Sequence, residues 1–409
     1  MLGITPQEEN IYMEQLSYVL VTPYTIAKSR TGGVLSRLLS RVNLELVGAQ
    51  MFAPTEEFAK DYAESVYQTY EGDNPRGRIH LRDYIIKSFS PSGGRRHRVL
   101  MLLFRGEDAY SKITDIAGPL YDEEQTLESI TGETIRDTYA DFYTSHEDPE
   151  QVLYYEPAVL APRSHGTAVK HLKMIGDFIK DEPQIITNMK YRNPEKIEKT
   201  LVIIKPDNWR YASSRPGTII DMFSRTGLRI ISCKIQRMTL NQALEFYGPV
   251  KKVLLKKLSP IYGQQARKTL ERDFNVQLRD EIQDVLTSTL GEQLAQDQFY
   301  QILEFMSGNR PDTCPVEEMD YPGKVKSMVL LYEGEDAVKK IREVLGPTDP
   351  TKAPGGTVRR EFGQNIMVNT AHASDSSENA EREMRIVKIN ENNCYEVIAT
   401  YLQALENHN

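Results

Sequence analysis

The sequence is poor in cysteine. Its 409 residues include three cysteines, Cys233, Cys314 and Cys394, which lie far apart and form no CxxC motif. This usage predicts a reducing compartment and argues against a structural zinc site. The N-terminus also lacks a basic segment followed by an apolar run, so we expect no signal peptide. The longest apolar run, VLMLLF at 99–104, is far too short to cross a bilayer. Together these features predict a cytoplasmic protein.

An excess of positive charge is also missing. The chain has 50 Lys and Arg against 58 Asp and Glu, a net charge of −8 and a pI of about 5.6. This balance argues against a non-specific surface for nucleic acid or membrane, but leaves room for a small anion held by a few local cations. With 40% hydrophobic and 26% charged residues, the chain is typical of a soluble globular protein long enough for two domains.

The two halves of the chain repeat one pattern. GEDA occurs at 106–109 and at 334–337, and a Gly–Pro pair follows at 118–119 and at 346–347. ETIR at 133–136 likewise resembles GTVR at 356–359. A period near 200 residues is too long for a solenoid and indicates a duplicated domain. We predict a first domain over 1–180, a polar linker over 181–199 and a second domain over 200–409.

Hydrophobic patterning gives both halves the same order of elements, β-α-β-(α)-β-α-β. A Gly-, Pro- and Arg-rich stretch at 71–98 is expected to be a loop in the first half. The order suits an α+β fold, with a ferredoxin-like split βαβ sheet in each half. Pattern alone does not separate this fold from other α+β arrangements.

The second half holds a candidate catalytic histidine, His372, in the segment GTVRREFGQNIMVNTAHASDSSENAERE (356–383). A helix beginning near Ser376 would place free amide N–H groups and the positive end of its dipole beside this histidine, where they favour an anion. Taken alone, a single histidine is more often solvated or structural than catalytic.

The surrounding pattern changes that balance. N-x-x-H-x-S-D-S, with G-T-x-R before it and E-x-E after it, resembles the active-site segment of nucleoside diphosphate kinases. The resemblance extends from about 200 to 386, and the family's fold is the same α+β arrangement. The matching residues of this segment are Gly356, Thr357, Arg359, Asn369, His372, Ser374, Asp375, Ser376, Glu381 and Glu383.

The resemblance implies a role for each matching position. His372 would be phosphorylated, Glu383 would hydrogen-bond the far side of its imidazole, and Lys205 would be the active-site lysine. The remaining matches are nucleotide contacts: Tyr247 in the active site, Phe299 (or Tyr300, one residue on) against the base, Arg342, Thr348 and Arg359 at the phosphates, and Asn369 at the sugar hydroxyl. Phosphoryl transfer needs such cations and donors to offset charge on the moving group, and a neutral imidazole is a competent nucleophile.

The implied activity is transfer of a terminal phosphoryl group between nucleoside tri- and diphosphates through a phosphohistidine at His372. Mg²⁺ would be bound through the nucleotide phosphates, since no Asp, Glu or His cluster has the spacing of a metal site. The resemblance also implies an intramolecular pseudo-dimer of the two copies, with further homo-oligomers an open question.

Departures from the family pattern support an alternative, a catalytically weak or inactive nucleotide-binding scaffold on the same fold. Asn208 and Ala373 stand where the family has glycine, and residues 248–297 form an insertion that we predict to be helical.

The first copy is degenerate on this alignment. It places Thr22 at the position of Lys205, and Leu160 at that of Asn369. Arg163 then falls at the position of His372, which leaves His165 as the one substitute nucleophile. We therefore predict that this copy is catalytically inactive and structural.

Overall fold

The structure, a computed structural model, describes residues 14–70, 75–120, 132–145, 147, 152–187 and 189–408. Contacts divide the chain into two compact units. The first comprises 1–195, 212–234 and 390–409, and the second comprises 196–211 and 235–389. The boundaries that we predicted from the sequence repeat remain a prediction.

The part of the chain before residue 195 alternates strands and helices. Its elements are β1 (Gln15–Val21), α1 (Pro23–Ala27), α2 (Thr31–Arg41), β2 (Glu45–Phe52), α3 (Glu56–Gln68), α4 (Pro75–Phe89), β3 (Val99–Gly106), α5 (Ala109–Ala117), α6 (Ile135–Tyr139), β4 (Asp141–Thr144), β5 (Val152–Glu156), β6 (Val159–Leu160) and α7 (His165–Ile179).

The later part repeats this order and includes one much longer helix, α9. Its elements are β7 (Ile197–Ile204), α8 (Arg215–Ser224), β8 (Arg229–Gln236), α9 (Leu240–Phe274), α10 (Asp280–Leu286), α11 (Glu292–Ser307), β9 (Ser327–Glu335), α12 (Ala337–Leu345), α13 (Val358–Phe362), β10 (Ala371–Ala373), α14 (Ser377–Ile386) and α15 (Cys394–His408).

Two four-stranded sheets confirm the predicted fold class. Their strand orders are β2-β3-β1-β6 and β8-β9-β7-β10. Numbered within each copy, both orders are 2-3-1-4, the order of a ferredoxin-like split βαβ sheet. The strand pairs β1–β3, β1–β6 and β2–β3 of the first sheet and β7–β9 and β7–β10 of the second are antiparallel.

The repeat also shows in the backbone. Gly118 and Gly346 both have φ of +83° and both end a helix. A Cβ atom would lie 2.4 Å from Thr134 Oγ1 at the first glycine and 2.8 Å from Thr357 Oγ1 at the second. Positive φ and close approach both require glycine there, so the Gly–Pro pairs mark the same turn in each copy.

The expected loop at 71–98 is wrong, because α4 occupies Pro75–Phe89. Leu81, Ile85 and Phe89 are buried at helical spacing and join the core of the first unit. Burial of this apolar stripe outweighs the weak helix propensity of the surrounding Gly and Pro.

Helix α8 belongs to the first unit and packs on α2. A Cβ atom on Gly32 would lie 2.3 Å from the carbonyl oxygen of Gly217, and one on Gly217 would lie 2.2 Å from that of Gly32. The two helices therefore meet backbone to backbone, a contact that only glycine allows.

The predicted insertion is helical apart from residues 275–279. α9 continues for 35 residues, through Pro249 and Pro260, and the chain returns along α10, a π-helical turn at Thr287–Gly291 and α11. A Cβ atom on Gly291 would lie 2.3 Å from the carbonyl oxygen of Ser259, so the two limbs pack closely. Throughout the described residues, no helix combines the length and hydrophobicity of a membrane span.

Candidate active site

The candidate nucleophile lies on the edge strand β10. His372 pairs with Ile203 of β7, and Lys205 follows β7 directly. The backbone N–H of Lys205 donates to the carbonyl oxygen of Thr370 over 2.9 Å. Sheet pairing therefore places the predicted lysine and histidine at one end of two neighbouring strands.

A carboxylate contacts one ring nitrogen of His372 and orients the imidazole. His372 Nε2 lies 2.9 Å from Glu383 Oε2, and Ser374 Oγ donates to the same oxygen over 2.6 Å. Glu383 is buried, and Arg382 Nη2 lies 3.8 Å from its other oxygen. The carboxylate favours a proton on Nε2, which leaves the lone pair of Nδ1 to act as a nucleophile.

The placement of Glu383 follows from the local sequence. The Ser376 side chain accepts a hydrogen bond from the Asn379 N–H and caps α14. Two helical turns from this cap, Glu383 projects from α14 toward His372. The predicted helix start near Ser376 is confirmed, as is its closeness to the histidine.

Lys205 is the least solvated of the candidate cations. Its side chain is 8% exposed, and its Nζ donates to Asn369 Oδ1 over 2.7 Å. Burial, followed by repulsion from Arg359, lowers the pKa of Lys205 to about 7. An anion brought to this ammonium would stabilise the charged form and raise its pKa.

Arg359 ties together the segments around the site. It donates to the carbonyl oxygens of Gly346 over 2.9 Å and of Ala371 over 3.0 Å. Burial, followed by repulsion from Arg342, lowers the pKa of Arg359 to about 10. Its buried Nε has no hydrogen-bond partner among the described residues, so one donor remains for an incoming group.

The first turns of α9 cover the histidine. The Phe246 ring packs edge-on against the His372 ring, with centroids 5.0 Å apart. Tyr247 Oη is buried without a hydrogen-bond partner among the described residues, and burial followed by the nearby Glu383 charge raises the pKa of this phenol. Tyr247 therefore remains a neutral donor near the carboxylate of Glu383.

Arg342 and Thr348 are exposed. Arg342 lines a cavity of about 570 Å³ together with Asp375 and Ser376 at the N-terminus of α14, although His372 is not among the lining residues. The backbone oxygen of Thr348 accepts from Asn369 Nδ2 over 3.3 Å. The structure thus links Thr348 to the site through its backbone, and its predicted side-chain contact with phosphate stays a prediction.

Phe299 is 1% exposed and belongs to the core beneath α9. Lys251 Nζ lies over its ring, 5.6 Å from the centroid, whereas Tyr300, the other candidate, is half-buried. The base contact predicted for Phe299 remains a prediction. Phe305, which the sequence did not single out, has its ring centroid 5.8 Å from Lys205 Nζ.

The two departures from glycine have structural explanations. Ala373 lies in β10, where extended backbone suits any residue. Asn208 is buried and its Nδ2 donates to the carbonyl oxygens of Lys205 over 3.0 Å and Thr370 over 2.8 Å. Thr370 itself has φ of +77°, a rare conformation for a β-branched residue, which these bonds help to hold.

Comparison with known proteins identifies the family. The model of the family described as nucleoside diphosphate kinase matches residues 198–257 and 315–392. A nucleoside diphosphate kinase of Halorhodospira halophila is 31% identical over 188 residues, which cover 46% of this chain and 90% of that protein. One from Nitratiruptor is 32% identical and is covered to 93%. The chain belongs to the nucleoside diphosphate kinase family.

Solved nucleoside diphosphate kinases also match. The Aquifex aeolicus enzyme is 27% identical, with 47% of this chain and 94% of that one covered and a TM-score of 0.28. The Pyrobaculum aerophilum enzyme is 25% identical, with 46% and 94% covered and a TM-score of 0.31. Scores this low carry no weight, so membership of the kinase family rests on the sequence relatives.

All the predicted site residues except Phe299 lie within the two segments that match the nucleoside diphosphate kinase family. Residues 258–314 fall outside the match and include most of the helical insertion together with the segment around Phe299. This gap agrees with the difficulty of fixing the register of that segment from sequence.

The structure corrects the alignment of the first copy. Leu160 pairs with Leu20 of β1 as His372 pairs with Ile203 of β7, so Leu160 is the equivalent of the histidine. Arg163 lies three residues farther on, and its assignment to that position is wrong. Ala158 lies two residues before Leu160, as Thr370 lies two residues before His372, and both have positive φ. This shared backbone conformation supports the same register.

The first copy also lacks the partner carboxylate. His171 lies seven residues after the N-cap Ser164, as Glu383 lies seven after Ser376. His171 Nδ1 is 2.9 Å from Tyr18 Oη, and burial lowers the pKa of this histidine to about 4, so it is neutral.

Proposed function

We propose that the chain is a nucleoside diphosphate kinase whose second copy transfers the terminal phosphoryl group through His372. The supporting observation is the 2.9 Å contact between His372 Nε2 and Glu383 Oε2. Nδ1 would attack the terminal phosphorus of a nucleoside triphosphate, forming a P–N bond as the bond to the diphosphate breaks. A second diphosphate would then take the phosphoryl group through its own terminal oxygen and free the imidazole.

The surrounding cations would offset charge during both steps. Arg359 is close enough to lower the pKa of Lys205 by charge, and Arg342 does the same to Arg359, so a polyphosphate among these cations would relieve their repulsion. Arg342, Thr348 and Tyr247 would add donors to the phosphates, and Asn369 would contact the sugar. Magnesium would enter with the nucleotide. Within the described residues, no group of three His, Cys, Asp or Glu side chains could hold the ion.

Two further parts of the proposal concern assembly and location. The first copy would act as an intramolecular partner of the second, in a pseudo-dimer. The backbone contact between Gly32 and Gly217 supports an architectural role for its helix α2. A cytoplasmic location follows from the cysteine usage of the sequence.

A labelling experiment separates the kinase from the inactive scaffold. The full chain is incubated with ATP labelled in its γ-phosphate and then chased with unlabelled GDP. We expect an acid-labile, base-stable phosphoprotein whose label moves to GTP, and no labelling of His372→Ala. A wild-type chain that binds nucleotide but takes up no label would favour the scaffold.

A further inference from the structure

The helical insertion has a strongly divided charge. Residues 246–270 contain six Lys or Arg and no Asp or Glu, whereas residues 280–297 contain five Asp or Glu and no Lys or Arg. These two segments belong to the outgoing limb α9 and the returning limb α10–α11. In a chain of net charge −8, the basic segment is unusual.

Each limb also exposes apolar side chains beside its charges. On α9, we define the basic face as Val250, Val253, Lys257, Ile261 and Lys268, with Lys256 at its edge. Val253 is 66% exposed, and Val250 and Ile261 exceed 40%. The spacing of 250, 253, 257, 261 and 268 keeps these residues on one side of the helix. A stripe of exposed valine and isoleucine between lysines is typical of a contact surface.

The returning limb has a matching surface of opposite charge. We define the acidic face as Asp280, Glu281, Asp284, Val285, Leu290, Glu292 and Leu294. Val285 is 54% exposed, Leu294 41% and Leu290 39%. Both faces thus combine a short apolar stripe with a single sign of charge.

Within one chain these charges are largely unpaired. Arg267 binds Asp280 over 3.1 Å, but Lys252, Lys256, Lys257 and Lys268 form no ion pair with any residue that the structure describes. Glu281, Asp284 and Glu292 likewise form none there. The close packing at Ser259 and Gly291 uses other sides of the helices, so both faces remain available.

We propose that the insertion is a self-association arm, which pairs antiparallel with the arm of a second copy of this chain. In a two-fold arrangement, the basic face of each copy would lie on the acidic face of the other, and the valine, leucine and isoleucine stripes would be buried between them. An anionic membrane or nucleic acid fits less well, because the acidic face of the same arm would repel it.

The surface is large enough for this role. A helix rises 1.5 Å per residue, so the basic face is about 30 Å long, and two helices side by side are about 20 Å wide. The arms would then bury about 600 Å² on each copy, or about 1,200 Å² in total, the lower end of stable interfaces. Pairing should therefore be reversible and sensitive to salt.

Charge reversal tests the proposal on the full chain. Lys256→Glu/Lys257→Glu reverses the charge in the middle of the basic segment, and Glu281→Lys/Asp284→Lys reverses the charge in the acidic face. Lys173→Glu/Lys180→Glu, in α7 and at its C-cap, is the matched control for the net charge of the first variant. We expect sedimentation at low salt to show a two-fold loss of mass for each arm variant alone, no loss for the control, and recovery when the two arm variants are mixed.

Recovery in the mixture would show that both arm variants are folded, since an unfolded variant would not restore the assembly. Unchanged mass in both arm variants would overturn the proposal, and so would a mixture that fails to recover. Co-sedimentation of the wild-type chain with phosphatidylserine vesicles, lost on Lys256→Glu/Lys257→Glu, would instead assign the basic face to a membrane and also overturn it.

Discussion

His372 Nε2 and Ser374 Oγ share one oxygen of Glu383, at 2.9 and 2.6 Å. This arrangement holds the imidazole in one orientation and keeps its proton on the nitrogen away from the substrate. Removing the carboxylate should weaken catalysis without removing the nucleophile.

We therefore expect Glu383→Gln to lower kcat by about 10²-fold or more, the range for a lost group that orients a catalytic base or nucleophile. His372→Ala should abolish exchange. Glu381→Gln is the matched control, since Glu381 is an exposed carboxylate on the same helix. Rates are measured as GTP formed from ATP and GDP, and an equal loss in both glutamate variants would contradict the role given to Glu383.

The sequence predicted the part of this site that lies along short segments. The strand before Lys205, the cap at Ser376 and the spacing of His372 and Glu383 are local, and the resemblance to the family's active-site segment located them. The contact of Phe246 with His372 depends on how α9 packs over β10, which no local pattern encodes. The position of Phe305 near Lys205 and the burial of Phe299 also depend on helix packing, so the sequence pattern did not predict them.

The alignment error in the first copy has a different cause. The segments before β6 and β10 share almost no residue types, so the match of Arg163 to His372 depended on the strand–turn–helix pattern alone, which does not fix the register. Strand pairing and the shared positive φ of Ala158 and Thr370 settled the register at Leu160.

Lys205 should make nucleotide binding depend on pH. Its pKa of about 7 in the folded chain lies below the ordinary 10.5, so between these values the unfolded chain binds the extra proton and rising pH favours the folded state. Nucleotide binding depends on pH in the opposite direction. Above pH 7 the Lys205 amine of the free site is neutral, and it must take up a proton when a diphosphate binds. Affinity for ADP should fall as pH rises from 7 to 9.

Calorimetry in buffers of different ionisation enthalpy measures the protons taken up. At pH 8 we expect uptake approaching one proton per ADP for the wild-type chain. Lys205→Gln, which removes the titrating amine, should lose that uptake and bind ADP more weakly. Equal proton uptake in both proteins would show that another group titrates.

The two departures from glycine give a stability prediction in which both reversions are destabilising, to different degrees. Ala373→Gly should not raise the exchange rate, because β10 is extended there, and should lower the free energy of unfolding by about 0.5–1 kcal/mol. Asn208→Gly should lower the free energy of unfolding further, by about 1–3 kcal/mol, because it leaves the Lys205 and Thr370 carbonyl oxygens without their buried donor. Urea titrations measure both, and a faster Ala373→Gly enzyme would show that alanine limits the reaction.

Removing the arm should affect nucleotide affinity as well as assembly. Residues 251–296 are replaced by a short flexible linker, which leaves Phe246 and Tyr247 in place. The deletion removes Lys251, which lies over the Phe299 ring, and shortens the helix bearing Phe299 and Tyr300, so we expect a folded protein with raised KM for nucleotides. Unchanged KM for ATP, GTP and their diphosphates would exclude a lid over the cleft and leave self-association as the role of the arm.

The last prediction concerns the first copy, which we expect to be inactive. Leu160 stands in the register of His372, His171 in that of Glu383, and Thr22 follows β1 as Lys205 follows β7. The positions of the nucleophile, the orienting carboxylate and the active-site lysine thus hold leucine, histidine and threonine, which removes several kcal/mol of transition-state stabilisation. His165, the one substitute, is exposed and bonded to Tyr110 Oη over 3.2 Å.

The full chain is needed for this test, because Cys394 and Ile398 of α15 lie in the core of the first unit and would be missing from a 1–180 fragment. In the His372→Ala chain, we expect neither phosphohistidine nor exchange, and adding Leu160→His should restore neither, since a lone imidazole still lacks both a carboxylate and Lys205. Peptide mapping after labelling locates any phosphate. Stoichiometric label on His165 would show that the first copy has its own nucleophile.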